Sequence, residues 1–164
     1  MKAQRRLVLT FRLGSELVAV PLGAVEEVLP ALPLEQVPNS PSFIRGVVFV
    51  RGHLIPVLDT AERLGRKDHS RALDPHLVCL RVGERLIGLE VDEALDLEEL
   101  ANPESLTPEE MGGKEGLLAS MVEHRGKVIR LLNPEKLIAY DESMALEKVP
   151  RTSSRPAAPG KNRP

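Results

Sequence analysis

The chain has 164 residues, 42% of them apolar, a net charge of −2 and a single cysteine. That is enough apolar material for a packed core in one ordinary domain or two very small ones, and it excludes wholesale disorder. The only aromatics are Phe11, Phe43, Phe49 and Tyr140, which counts against stacking platforms for bases or sugars, and the mixed charge offers no basic stripe for nucleic acid.

The start, Met1 to Arg6, is basic, but Arg12 and Glu16 interrupt the apolar segment behind it. A signal peptide needs an uncharged core there. From Leu7 to Leu13 the odd positions are Leu7, Leu9, Phe11 and Leu13, the period of a half-buried strand. Gly14-Ser15 predicts a turn, and Leu17 to Leu22 the returning strand of a hairpin. Ala24 to Leu29 continues apolar around Glu26 and Glu27. Pro30, Pro33, Pro38 and Pro41 then punctuate an extended loop, because each fixes φ and removes a ladder donor. A second hairpin is predicted from Val47 to Val50 and Leu54 to Leu58, turning at Arg51-Gly52. Asp59 suits the N-cap of a short helix, Thr60 to Leu64, that stops at Gly65. Arg66 to Pro75 is charged and reads as a linker.

Strand signals resume at Leu77 to Val82, Leu86 to Val91, Leu117 to Glu123 and Val128 to Leu132. Runs such as Leu117 to Val122 are far shorter than the roughly 20 residues of a membrane span. Cys79 has no intrachain partner, which fits a reducing cytoplasm, and it reads as a small buried hydrophobe. Asn133 and Pro134 predict a terminal helix over 133–146. From Val149 onward the composition predicts a disordered tail, 149–164.

The halves resemble each other. Arg12-Leu13-Gly14-Ser15-Glu16-Leu17-Val18-Ala19 aligns with Arg81-Val82-Gly83-Glu84-Arg85-Leu86-Ile87-Gly88, and Arg51-Gly52-His53-Leu54-Ile55 with Arg125-Gly126-Lys127-Val128-Ile129. Asp59 and Asn133 each follow the arginine by eight residues. The pattern predicts duplicated β units, each marginal alone, packed on a shared apolar seam. One larger sandwich with accidental similarity is the alternative.

Catalytic arrangements are missing from the sequence. His53, His69, His76 and His124 lack metal-ligand spacing. Gly112-Gly113-Lys114-Glu115-Gly116 has Glu115 where a phosphate loop needs Ser or Thr. Asp92, Glu93, Asp96, Glu98 and Glu99 lack the alternating ligands and central glycine of a calcium loop, and read as a solvated strand end. No metal, cofactor or enzyme activity is expected.

In the run from Phe43 to Asp59, Gly46 and Gly52 permit backbone turns that a Cβ would obstruct. Pro56 lacks an N–H and is expected where its strand edge is not paired inward. Arg51, at a hairpin tip, either caps local carbonyls or Asp59, or reaches a partner's carboxylates. The run Phe43-Ile44-Arg45-Gly46-Val47-Val48-Phe49-Val50-Arg51-Gly52-His53-Leu54-Ile55-Pro56-Val57-Leu58-Asp59 closely resembles the signature of the CheW family of chemotaxis coupling proteins. Ile87-Gly88-Leu89-Glu90-Val91-Asp92-Glu93 and Leu131-Leu132-Asn133-Pro134-Glu135-Lys136-Leu137-Ile138 resemble later pieces of that pattern, and the likeness covers about residues 7 to 140.

The resemblance implies a mainly β fold of two tandem small five-stranded SH3-like β-barrels with short helices and a C-terminal helix. The domain would cover 1–148. The first barrel would take about 16–75 and the second about 76–132, with residues 7–15 and the helix 133–146 packing at the seam. It implies a non-catalytic, cytoplasmic adaptor at receptor arrays on the inner membrane, without nucleic acid or membrane insertion. Its partners would be a chemoreceptor (methyl-accepting chemotaxis protein) cytoplasmic tip and the regulatory domain of a CheA-type histidine kinase. Carried over by position, Val25, Glu27 and Val28 fall on the kinase-facing segment and Arg51 on the arginine linked to coupling and receptor contact. Leu54, Leu89 and Val91 either line a groove for the receptor tip or belong to the core. Gly46, Gly52, Pro56, Asp59, Gly88 and Asn133 would be structural. Phe49 stands where the family pattern has Asn, Thr60 where it has Leu, and Ala119-Ser120 where it often has Gly. These departures leave open a paralogue that binds receptors without coupling to kinase. An unrelated small-barrel binding module is a further alternative.

Overall fold

The computed structural model describes residues 5–66, 71–101, 105–106 and 116–138. Its strands are β1 (Arg6–Leu13), β2 (Glu16–Pro21), β3 (Val25–Pro30), β4 (Ile44–Val50), β5 (His53–Asp59), β6 (His76–Val82), β7 (Arg85–Val91), β8 (Glu93–Leu100), β9 (Ser105–Leu106), β10 (Leu118–His124) and β11 (Lys127–Leu132). One short helix, α1 (Thr60–Arg63), follows β5, and 3-10 turns occur at Leu22–Ala24 and Pro134–Lys136.

The strands form two sheets, ordered β8-β1-β2-β11-β10-β9 and β3-β6-β7-β5-β4. Neighbours are antiparallel except for β11 with β2 and β5 with β7, which run parallel. The two orders repeat each other once β8, β1, β2, β11 and β10 are matched to β3, β6, β7, β5 and β4. Even the outer bridge recurs, since Glu35 pairs with Val47 as Leu106 pairs with Met121.

The sheets do not divide at residues 75 and 76 as the sequence suggests. Hairpin β6–β7 completes the sheet of β3, β4 and β5, and β2 pairs with β11 in the other. The early halves of the two repeats have changed places. The reason lies in the parallel contacts: β2 and β7 each bury both faces only by joining a hairpin distant in sequence.

Alternation along the strands then fills three cores. Leu9, Phe11, Leu13, Val18 and Val20 of one sheet meet Val47, Leu58, Val78, Leu80, Ile87, Leu89 and Val91 of the other in a shared core. The intervening residues turn the other way. Val8, Ala19, Leu100, Ile129 and Leu131 form an interior for the first sheet, and Val48, Ile55, Val57 and Leu77 one for the second. Burying a Leu, Val or Phe contributes roughly 1.5–3 kcal/mol each, so the shared core dominates and locks the sheets together.

Both sheets are mixed, with five long strands each and β9 added to one. Among the described residues no backbone pairing joins β3 to β4 or β8 to β9, so neither sheet closes into the expected barrel. The C-terminal helix expected over 133–146 is described only to Ile138, where Pro134–Lys136 makes a 3-10 turn. The remainder, and the tail 149–164, lie outside the described residues. That turn is tied to α1, because Arg63 donates to the carbonyl of Leu137 at 2.6 Å and its guanidinium lies 4.7 Å from the centre of the Phe43 ring.

Candidate functional site

The residues of the Phe43–Asp59 run sit on β4, β5 and the turn between them. Val50 faces His53, so Arg51-Gly52 is a two-residue hairpin loop, with φ of 51° and 84°. Such a loop matches strand twist only when both central residues adopt positive φ. Gly52 does so freely, whereas Arg51 carries a Cβ penalty. Gly46 has φ 151°, and a Cβ there would lie 2.4 Å from the Glu35 carbonyl oxygen. That close approach seats Glu35 against Val47, with N···O distances of 2.9 and 2.8 Å.

Pro56 was expected on an edge, but β5 lies inside its sheet, between β7 and β4. Its partner on β4 is Val47, and the parallel pairing with β7 starts at Val57. Val47 turns its backbone groups outward to Glu35, so in the alternating antiparallel pattern Pro56 turns its nitrogen away from β4. The missing donor falls where the parallel ladder has not yet begun. Gly88 stands opposite Val57, and a Cβ there would sit 3.3 Å from a Val57 methyl. Asp59 is buried and accepts from the Glu62 N–H at 3.1 Å, capping α1 as expected. Arg71 lies 3.2 Å from its second oxygen. Glu90 binds Arg45 at 2.9 Å and Arg71 at 3.1 Å. Asn133 makes no side-chain cap. Its backbone N–H bonds the Leu117 carbonyl instead.

Arg51 resolves to neither local carbonyls nor Asp59. Its Nη2 and Nε donate to the two oxygens of Glu27 at 2.8 and 3.2 Å. This pair informs on the shape of the sheet. With strands about 4.8 Å apart, β3 and β5 would stand roughly 14 Å apart in a flat sheet. The contact requires the sheet to curl around its interior of Val48, Ile55, Val57 and Leu77.

Glu27 lies on β3 with Val25 and Val28. Among the described residues β3 is the end strand of its sheet, paired only with β6. Val25 packs against the shared core, whereas Val28 is exposed. Glu26, on the same strand, pairs with Arg81 at 2.8 Å. Beneath Glu27, Cys79 on β6 is buried, and burial with the nearby Glu27 charge pushes its thiol up to about 11 despite Arg51. A thiol held neutral in this way is no nucleophile.

Leu89 and Val91 are at most 1% exposed, inside the shared core, so they shape the seam from beneath, and Val91 also lines a small cleft with Arg71, Pro75 and Glu90. Leu54 is partly buried against that core. Phe49, opposite Leu54 on β4, is exposed, and the continuous apolar run Val47 to Val50 hid which of its members would face out. A cavity of about 200 Å³ opens between the β6–β7 hairpin and the C-terminal turn, lined by Val82, Arg85, Ile87, Pro134, Glu135 and Ile138. Its lining holds one carboxylate and one guanidinium. Among the described residues no three His, Cys, Asp or Glu side chains gather as metal ligands, and no helix is long and apolar enough to cross a membrane.

Comparison with known proteins agrees with this geometry. The model of the CheW-like domain matches residues 7–142. A probable chemotaxis protein CheW of Rhizobium etli is 29% identical over 145 residues, covering 85% of this chain and 92% of the relative. Protein FrzA of Myxococcus xanthus is 33% identical over 142 residues, covering 84% and 88%. The fold superimposes on the crystal structure of the scaffolding protein TtCheW from Thermoanaerobacter tengcongensis with a TM-score of 0.74 at 20% identity, over 85% of this chain and 91% of that one. The chain therefore belongs to the CheW-like domain family, the non-catalytic scaffolding proteins of chemotaxis signalling.

Proposed function

We propose that this chain bridges the cytoplasmic tip of a chemoreceptor to the regulatory domain of a CheA-type histidine kinase. It would work in the cytoplasm at receptor arrays on the inner membrane, with no cofactor. The observation that carries the reading is the Arg51–Glu27 pair, which joins a hairpin tip assigned to the receptor with a strand assigned to the kinase. β3 supplies the kinase side, where Val28 is exposed and Glu27 is held by Arg51. Among the described residues the outer edge of β3 has no strand paired to it, and an end strand of this kind presents both side chains and backbone groups to a partner. The receptor side is Arg51 with Leu54. Leu89 and Val91 support it from within the shared core.

The test is reconstitution with a CheA-type regulatory domain and purified receptor tips. The wild-type chain should co-sediment with both and stimulate the kinase. Arg51→Glu places a second anion beside Glu27 and should lower kinase stimulation far more than thermal stability. Equal loss of both would reduce Arg51 to a structural residue. Binding to receptor without kinase would favour the uncoupled paralogue.

A further inference from the structure

We propose that the contact between His124 and Glu98 is a proton-dependent fastener, which holds strand β8 over the interior of its sheet in mild acid and loosens it as pH rises. The device goes beyond the adaptor reading and does not depend on which partners the scaffold holds. His124 Nε2 lies 3.2 Å from Glu98 Oε1. In the order β8-β1-β2-β11-β10 the two strands stand four steps apart, roughly 19 Å across a flat sheet at about 4.8 Å per step. The contact therefore requires this sheet to curl, as the Arg51–Glu27 pair requires of the other.

Strand alternation places both side chains at the rim of one interior. Glu98 stands opposite Val8, which packs with Ala19, Leu100, Ile129 and Leu131. His124 alternates with buried Ser120 and Val122. The pair is sheltered, with His124 19% and Glu98 23% exposed, whereas Arg51 of the other clasp is 69% exposed. A guanidinium stays charged at any working pH, so the Arg51 clasp is unconditional. An imidazole changes charge between about pH 5 and 8. One unit is thus fastened permanently and the other by a group that titrates.

The neutral ring donates to Glu98 only when its proton sits on Nε2. The protonated ring donates in every case and adds its charge, which makes the stronger, charge-assisted bond. On the same side of the sheet lie Arg6 of β1, Lys127 of β11 opposite His124, and Asp96 at the bulge beside Thr10. Glu123 and Arg125 flank His124 in the chain, and Glu123 accepts from the Gly126 N–H at 2.7 Å. Lys127, Arg6 and Arg125 oppose a positive ring and the carboxylates favour it. Among the described residues Glu98 is the carboxylate within hydrogen-bond reach. The start of β8 has the opposite requirement, because His76 accepts the Ala94 N–H through Nδ1 at 2.8 Å, and a proton on that nitrogen would break the bond.

The experiment measures amide hydrogen exchange by NMR on the full chain at about pH 5.8 and 7.8, corrected for intrinsic exchange. Wild type, Glu98→Gln, His124→Gln and His124→Arg are compared, all with His76 in place, so its effect cancels in their ratios. At the lower pH the β8 amides bonded to β1 should be about threefold to fivefold better protected in wild type than in Glu98→Gln or His124→Gln, the gain expected of a partly exposed ion pair. At the higher pH that gain should vanish. His124→Arg should keep it at both. A ratio of wild type to Glu98→Gln that is the same at both pH values overturns the proposal, as does a His124→Arg gain that falls with pH as the wild-type gain does. Should Glu98→Gln fail to fold, the ratio of wild type to His124→Gln decides in its place.

Discussion

Arg51 and Arg125 occupy equivalent hairpin tips, each followed by glycine, with φ of 51° and 55°. Arg51 grips Glu27, whereas Arg125 has no carboxylate partner among the described residues. Positive φ costs a residue with a Cβ roughly 1–2 kcal/mol, and asparagine tolerates it better. Arg125→Asn should therefore raise stability by about 0.5–1 kcal/mol in a denaturant titration, with kinase stimulation intact. Arg51→Asn should change stability by less than about 1 kcal/mol, since the relief offsets a largely exposed ion pair, yet it should abolish coupling. Equal effects at the two tips would argue against a coupling role for Arg51.

Gly46 is the position least able to change. Alanine would force its Cβ to 2.4 Å from the Glu35 carbonyl oxygen, at a φ of 151°. Gly46→Ala should cost about 3 kcal/mol and drop the thermal midpoint sharply. Gly52→Ala meets no neighbouring atom and should cost less. A melt that ranks the two in the opposite order would refute the packing argument.

Cys79 should resist modification. Burial raises its thiol to about 11 in the folded chain, against about 8.5 for a free cysteine. At pH 8 a disulfide reagent should label the denatured protein quickly and the native protein hardly at all. The sign for stability follows from proton counting. Above about pH 8.5 the unfolded chain releases a proton that the folded chain keeps. The contribution of Cys79 is thus complete below that pH and is lost as pH rises toward 11. Wild type should lose stability relative to Cys79→Ala across that window, and a constant difference would exclude the effect.

Residues 1–75 produced alone should stay unfolded by circular dichroism and by amide dispersion in NMR. They contain β3, β4 and β5 without the β6–β7 hairpin that lies between them, and β1 and β2 without β8 and β11. A cooperative melt from this fragment would contradict the strand exchange.

The local grammar of the chain was readable. The paired turns at Gly14 and Gly83 and at Gly52 and Gly126 mark four hairpins, and all four glycines have positive φ. Asp59 marks the start of α1 because its carboxylate meets the Glu62 N–H. β8 was missed. Its carboxylates at Glu93, Asp96, Glu98 and Glu99 read as solvated, but an end strand keeps one side in water while Leu100 alone is buried among its residues. Thr10 fixes β8 in place, its hydroxyl bonding both the carbonyl and the N–H of Asp96, a contact between residues far apart in sequence. The same limit explains Leu89 and Val91. Alternation shows that they share a face, but whether that face meets solvent or a second sheet depends on parallel pairing, which leaves no local signature. Arg51 was identified as a reaching residue, while its partner Glu27 was assigned separately to another surface.

The exchange of hairpins bears on how such a chain arose. A single ancestral unit, holding the equivalents of β1 to β5, would have had a gap in its sheet that only the hairpin of an identical molecule could fill. The present protein has the architecture of two such units intertwined, joined end to end in one chain. Within one chain the two units need not stay alike: one tip holds an arginine–glutamate clasp, and its twin at Arg125 has none among the described residues.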